Sequence, residues 1–172
     1  MSRAIAKAID QAGIRASQRG RTLGSFRLQM PPLQEGPGWQ DFLAQHTLIQ
    51  DDPKRRVRIY LAGKAEGDRR AQLVRAAERE YRALRGIDHP GIATPTEFLE
   101  HDLGPALVFP YDNDLTRLDL FLRQQRKSLS FDDRLVLLRT IAETIAYAHR
   151  RVLTHRGLSP HCVWVSRQRS TS

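Results

Sequence analysis

Cysteine is almost missing from this chain: Cys162 is the single thiol in 172 residues. No internal disulfide can form, and no thiolate-rich zinc set can be assembled. The six histidines are scattered without ligand spacing, so no metal site is expected. Long apolar runs are lacking as well. None approaches the roughly 20 residues that cross a bilayer, and the N-terminus has no signal-peptide core. The expectation is a reducing cytoplasm and no membrane partner. Repeats and low-complexity blocks are also absent. Acidic residues are the minority, 19 against 28 Lys and Arg, for a net charge of +9. That excess sits at the two ends. Residues 1–27 carry six basic side chains against Asp10, and the stretch from Thr144 onward carries five arginines and no acid. Each end is thus +5 and the middle −1. Such ends read as solvated segments. A phosphate-binding surface for nucleic acid is the sharper alternative, though not the favoured one.

What is present can bury one sizeable core, with 40% of residues hydrophobic. Ser2 to Gly13 has helical spacing, and the Arg-, Ser- and Gly-rich stretch Arg15 to Gly24 reads as a linker. Phe26 to Met30 predicts a strand stopped by Pro31-Pro32, and Trp39 to His46 is left as strand or helix. In Arg56 to Leu61, Val57, Ile59 and Leu61 alternate with Arg56, Arg58 and Tyr60, which predicts a strand with one face buried. Asp68 to Leu84 places Leu73, Ala77, Tyr81 and Leu84 on one helical stripe, and Gly86 is a natural stop. Two apolar runs, Thr96–Glu100 and Ala106–Phe109, flank a turn at His101–Gly104. A short helix is expected over Leu115–Gln125. A longer one opens at Ser130 with a capping box closed by Asp133, with Phe131, Leu135, Leu138, Ile141, Ile145 and Ala148 on one face. The fold class is therefore α+β: a small antiparallel sheet with one helix, then a helical segment.

The most informative stretch is Leu153 to Val165, which reads Leu-Thr-His-Arg-Gly-Leu-Ser-Pro-His-Cys-Val-Trp-Val. It resembles the H-R-D-L-K-P-x-N catalytic loop of the eukaryotic-type Ser/Thr protein kinase superfamily, followed by its apolar strand. His155, Arg156, Leu158 and Pro160 keep their places. Gly157 stands for the Asp that accepts the substrate proton, Ser159 for the Lys, and Cys162 for the Asn that holds Mg²⁺. Further landmarks fall in order. Ala77 to Leu84 followed by Ile87-Asp88-His89-Pro90-Gly91-Ile92 resembles the family's αC helix and its link to the next strand, with Glu80 as the αC carboxylate. Ala106 to Tyr111 resembles the hinge strand, with Phe109 as gatekeeper. Gly36-Pro37-Gly38 resembles a worn glycine-rich loop, and Val57-Arg58-Ile59-Tyr60 resembles V-A-I-K with Tyr60 in the Lys position. The resemblance covers Phe26 to Val165. It implies a kinase-like N-lobe over 26–109, the start of a C-lobe over 110–165, a basic helix and linker over 1–25 and a polar tail over 166–172. The rest of the C-lobe would lie in residues absent from this chain. A narrower resemblance, carried by Arg55–Tyr60, Gly86–Ile92 and His155–Pro160, is to the kinase-like region of large PglW-type proteins of bacterial phage-exclusion systems.

The reactive groups of the family are missing. Tyr60 supplies no cation, and only Lys64 or Lys54, both outside the strand, could replace it. Asp41 takes the third glycine position, where its charge repels phosphate, and Pro37 removes an N–H donor. Without the other landmarks, Gly36-Pro37-Gly38 reads as an ordinary turn. Glu80 is either a surface carboxylate or one aimed at the nucleotide cleft. Cys162 is expected to be a core residue, since a thiol is a poor ligand for Mg²⁺. His155 is expected to pack the loop and Arg156 to be solvated. Nucleotide contacts, if made, would fall to Gly36, Gly38, Tyr60, Glu80, Phe109 and Tyr111, giving weak ATP binding with little help from Mg²⁺. The expected role is a catalytically impaired kinase-like segment that senses nucleotide or acts as a scaffold in a larger bacterial protein. Its partners would be the missing lobe, adjacent domains, or proteins meeting the apolar face of the long helix. The alternatives are an active kinase with atypical residues, and a nucleic-acid module using the basic ends.

Overall fold

The computed structural model describes residues 21–125 and 127–166. The helix expected over Ser2–Gly13, most of the linker, and the tail beyond Ser166 lie outside the described residues. The chain divides into two compact units. Among the described residues, one holds those up to Ile87 together with Ala93–Tyr111, and the other holds Asp88–Ile92 with those from Asp112 to Ser166.

The first unit is a six-stranded antiparallel sheet with one long helix. Its strands are β1 (Thr22–Leu23), β2 (Phe26–Gly36), β3 (Trp39–His46), β4 (Arg55–Tyr60), β5 (Glu97–His101) and β6 (Gly104–Pro110), in the order β1-β2-β3-β4-β6-β5. Trp39–His46 is thus a strand, the choice that its own residues left open. Pro31-Pro32 does not stop β2. The strand runs on to Gly36, and its pairing with β3 is interrupted between Gln29 and Gln34, where two residues without N–H groups cannot join the ladder. Leu23, expected in the linker, is 1% exposed and part of the core. Helix α1 (Gly67–Leu84) follows a single helical turn at Ala62–Lys64.

Both faces of the sheet are covered. Phe26, Leu28, Phe42, Ala44, Val57, Ile59, Ala106 and Val108 build one core. On the other face Tyr60, Leu107 and Phe109 pack against Ala77, Leu73, Tyr81 and Leu84 of α1, the stripe that the helical spacing predicts. The expectation of a single buried face for β4 is therefore corrected. Arg56, Arg58 and Tyr60 lie on the face that α1 covers, and Tyr60 is buried.

In the second unit β7 (Leu115–Arg117) pairs antiparallel with β8 (Trp164–Ser166), helix α2 spans Leu118–Gln125 and helix α3 spans Phe131–Arg150. The expected helix over Leu115–Gln125 starts three residues late. The first three residues take their hydrogen bonds from β8, almost fifty positions away, a partner that local propensity does not register. The capping box is present: the Ser130 hydroxyl accepts from the Asp133 N–H at 3.1 Å, and the Ser130 N–H donates to the Asp133 carboxylate at 3.0 Å. None of α3 is buried. Phe131, Leu135, Val136 and Leu138 are exposed, Phe131 at 73%. The short segment Asp88–Ile92 packs in this unit, with the His89 and Tyr147 rings 4.3 Å apart and the Tyr147 hydroxyl donating to the Asp88 carbonyl at 3.3 Å. Among the described residues no helix is long and apolar enough to cross a membrane.

Candidate functional site

Antiparallel register places Gln34, Asp41, Arg58, Leu107 and Phe98 in one row across β2, β3, β4, β6 and β5. Trp39 stands opposite Tyr60 and Arg56 opposite Phe109 in the neighbouring rows. All belong to the face covered by α1, where a buried charge must find a partner or be expelled. Asp41 is fully buried and accepts four hydrogen bonds: from Gln34 Nε2 (2.9 Å), Arg56 Nη1 (2.8 Å), Arg58 Nε (2.8 Å) and Arg58 Nη2 (3.1 Å). Arg58 Nη1 donates to Glu80 Oε1 of α1 at 3.2 Å, and the Tyr60 hydroxyl donates to Glu80 Oε2. The guanidinium of Arg58 lies over the Trp39 ring at 4.2 Å, and that of Arg56 over Phe109 at 4.1 Å.

These contacts set the protonation states. Burial pushes the Asp41 carboxyl up. The Arg58 hydrogen bonds, the charges of Arg56 and Arg58 and the Gln34 amide outweigh it and hold the group below its ordinary value. Burial alone would make Arg58 less basic, but its bonds to Asp41 and the Glu80 charge raise it. Arg56, with one bond to Asp41 and Arg58 beside it, is lowered by burial. Tyr60 is pushed up by burial and by the Glu80 carboxylate, so its phenol stays neutral.

Each sequence-predicted position can now be located. Glu80 does face the sheet and meets Tyr60, as the inward-facing alternative required. Gly36 and Trp39 pair across a two-residue turn, and Gly38 has φ of +93°. A side chain at Gly36 would come within 2.5 Å of the Trp39 indole, and one at Gly38 within 2.6 Å of Leu73. The small residues thus make room for the protein's own side chains. Phe109 is 1% exposed and lies under Arg56, while Tyr111 is half-buried at the end of the first unit. Lys64 is exposed on the single helical turn after β4. Sequence reasoning missed Arg56 and Arg58 and misjudged Asp41. The sequence signal was limited to the alternation of Arg56 and Arg58 along β4; that Asp41 stands opposite Arg58 depends on cross-strand register.

In the second unit the loop from Thr154 to Cys162 is mostly exposed. Arg156 has φ of +58° and is solvated, as expected. His155 is exposed, so its expected packing role is corrected. Nothing lies within 4 Å of where a Cβ on Gly157 would sit. Ser159 is half-buried, with its hydroxyl 3.5 Å from the Cys162 sulfur, which also approaches the Gly157 carbonyl at 3.5 Å. Cys162 is exposed, which corrects its assignment to the core. β8 begins only at Trp164, leaving Cys162 in the turn. Asp119, on α2, is engaged by Arg117 at 2.8 Å through both carboxylate oxygens and approached by His161 at 3.4 Å; the Arg117 bonds pull its carboxyl down to about 2. Among the described residues no group of three His, Cys, Asp or Glu side chains could hold a metal ion.

The chain matches the family model described as protein tyrosine and serine/threonine kinase over residues 45–171. It is 34% identical over 167 residues to the probable kinase PglW of Streptomyces coelicolor, covering 95% of this chain but only 11% of that protein's length. Among solved structures it is similar to the Mycobacterium tuberculosis PknI kinase domain, with a TM-score of 0.63, 20% identity and coverage of 87% of this chain and 58% of that one. It is also similar to Rad53 in complex with AMP-PNP, with a TM-score of 0.64, 18% identity and coverage of 86% and 37%. The α+β fold is thus protein-kinase-like, an antiparallel sheet lobe followed by a few helices.

Proposed function

The chain belongs to the protein tyrosine and serine/threonine kinase family, and we propose that it is a kinase-like segment that no longer transfers phosphate and acts as a scaffold in a larger bacterial protein. Phosphoryl transfer needs a cation for the phosphates, a held Mg²⁺ and a group that orients the nucleophile. The observation that carries the reading is the charge balance beside α1. Two guanidiniums face two carboxylates, and the phenol of Tyr60 stands where the family keeps a Lys. Neither guanidinium of this cluster is left over for a phosphate. The loop supports the same conclusion, with Gly157 and Cys162 offering neither a carboxylate base nor a hard oxygen ligand for Mg²⁺. The residues present therefore do not fit Mg²⁺-ATP, and a nucleotide would be held weakly.

The scaffolding role is favoured over nucleotide sensing because a sensor needs a ligand that its site can hold. The exposed apolar face of α3 offers Phe131, Leu135 and Leu138 to further residues of the larger protein or to a partner. The setting we propose is the cytoplasmic phage-exclusion protein that the sequence resemblance implies. Calorimetry with ATP, with and without Mg²⁺, and a phosphate-transfer assay on the same sample test the reading. The expected result is weak or absent binding, little gain from Mg²⁺ and no transfer above background. Micromolar affinity that Mg²⁺ strengthens would overturn it and restore the active-kinase alternative.

A further inference from the structure

Arg58 makes one contact that the family resemblance does not supply. Its position is that of the A in V-A-I-K, two residues before Tyr60 on the same face of β4. From there its guanidinium reaches both a carboxylate of the sheet and the carboxylate of α1. We infer that the Asp41–Arg58–Glu80 bridge, with the Tyr60 hydroxyl, is a built-in clamp that holds α1 on the sheet whether or not a nucleotide is present.

The chemistry explains why an arginine is needed. A Lys ammonium is a point charge, whereas the planar fork of Arg can satisfy two carboxylates along different edges. Arg58 turns Nε and Nη2 to Asp41 and leaves Nη1 for Glu80. Asp41 is anchored from three sides, by Gln34, Arg56 and Arg58, with three bonds on Oδ2 and one on Oδ1. It therefore fixes Arg58 rather than being pulled along by it. The Trp39 ring covers one face of the Arg58 guanidinium and fixes its plane. Glu80 in turn receives a bond on each oxygen, one from Arg58 and one from Tyr60, both from β4. Two residues on one strand thus tether one residue of the helix.

A phosphate group could recruit Arg58 only by drawing it from Asp41 or Glu80. The first would leave a fully buried carboxylate short of partners, and the second would release the helix. Arg58 is therefore not available to a phosphate, and α1 is held by residues of the chain alone. This inference rests on the reading of a phosphate-poor site, and its test separates the two.

Hydrogen exchange of the α1 amides, followed in the whole chain with and without Mg²⁺-ATP, is the experiment. The expected result is slow exchange over Gly67–Leu84 that Mg²⁺-ATP does not change. In Glu80→Gln that exchange should rise about tenfold, the factor carried by loss of one charge-assisted hydrogen bond, while β2 to β6 keep their protection. Should Glu80→Gln also loosen the strands, Tyr60→Phe decides, since it removes one tether without changing charge. Faster exchange confined to α1 supports the clamp, and unchanged exchange overturns it. Fast α1 exchange in the native chain that Mg²⁺-ATP slows would also overturn it. Tight ATP binding with α1 equally protected in both states would sink the proposed function and leave the clamp standing.

Discussion

Arg58 and Asp41 stand directly opposite each other on neighbouring strands and meet through two hydrogen bonds, 2.8 and 3.1 Å long, with the carboxylate wholly shielded from water. A buried pair of this kind adds little to stability compared with a well-packed apolar pair, yet breaking it from one side is costly. That asymmetry governs the first expectation. Asp41→Asn leaves Arg56 and Arg58 crowded without their shared counter-charge. It should destabilise the first unit by about 3–5 kcal/mol, read from urea unfolding. A loss under 1 kcal/mol would show that water reaches the arginines.

Acid dependence follows from the same carboxylate. Its folded value lies below its unfolded value near 3.8, so its contribution is present above that pH and is lost as pH falls through the folded value. Stability of the native chain should therefore stay level between neutral pH and about pH 5 as far as Asp41 is concerned, then drop in acid. Asp41→Asn should flatten that drop, measured by unfolding across the acid range.

At the alkaline end the sign is reversed. Tyr60 has a raised folded value, so its contribution is complete below the ordinary phenol value near 10 and is lost as pH rises further. Tyr60→Phe should cost about 1.5–3 kcal/mol at neutral pH, for one hydrogen bond to a carboxylate, and should remove this alkaline loss. Thermal melts from neutral to strongly alkaline pH give both numbers. An unchanged alkaline limb would show that the phenol is open to solvent.

Restoring single family residues should not restore activity. Gly157→Asp meets no steric obstacle, so its melting should match the native chain while phosphate transfer stays at background. Tyr60→Lys places a third cation beside Arg58, where Glu80 is already shared. ATP affinity by calorimetry should rise less than tenfold, the equivalent of about 1.4 kcal/mol. Transfer recovered by either change alone would mean that the missing groups lie elsewhere in the site.

The exposed face of α3 predicts association. Leaving a few hundred Å² of apolar surface in water forfeits several kcal/mol at roughly 25 cal/mol per Å². Light scattering should detect self-association of the purified chain, and Leu135→Glu with Leu138→Glu should reduce it without lowering the helical signal. A monodisperse native chain would contradict this.

Much of the architecture was legible because its causes are local. The Leu73–Ala77–Tyr81–Leu84 stripe, the Ser130–Asp133 cap and the turn between β5 and β6 are written within a few residues of one another, and each took the expected form. The family landmarks were legible for a related reason: each is a short local motif, and they fall in the family's order along the chain. Residues whose partners are distant in sequence were not. Leu115–Arg117 became a strand only because β8 supplied an edge, and Leu23 joined the core only through the pairing of β1 with β2.

The sequence by itself carried the resemblance, which sets Tyr60, Gly157 and Cys162 against the family's Lys, Asp and Asn, because side-chain identity at a motif position is read without any fold. It also determined that Glu80 lay beside the apolar stripe of α1. Only the tertiary structure decided which carboxylates Arg58 meets. Arg58 reaches Asp41 across 17 residues and Glu80 across 22, and both contacts depend on cross-strand register and on helix α1 covering that face. A charge pair of this kind is set by where the chain returns in space, so Asp41 could be read in isolation only as a charge hostile to phosphate, whereas in the fold it anchors Arg58.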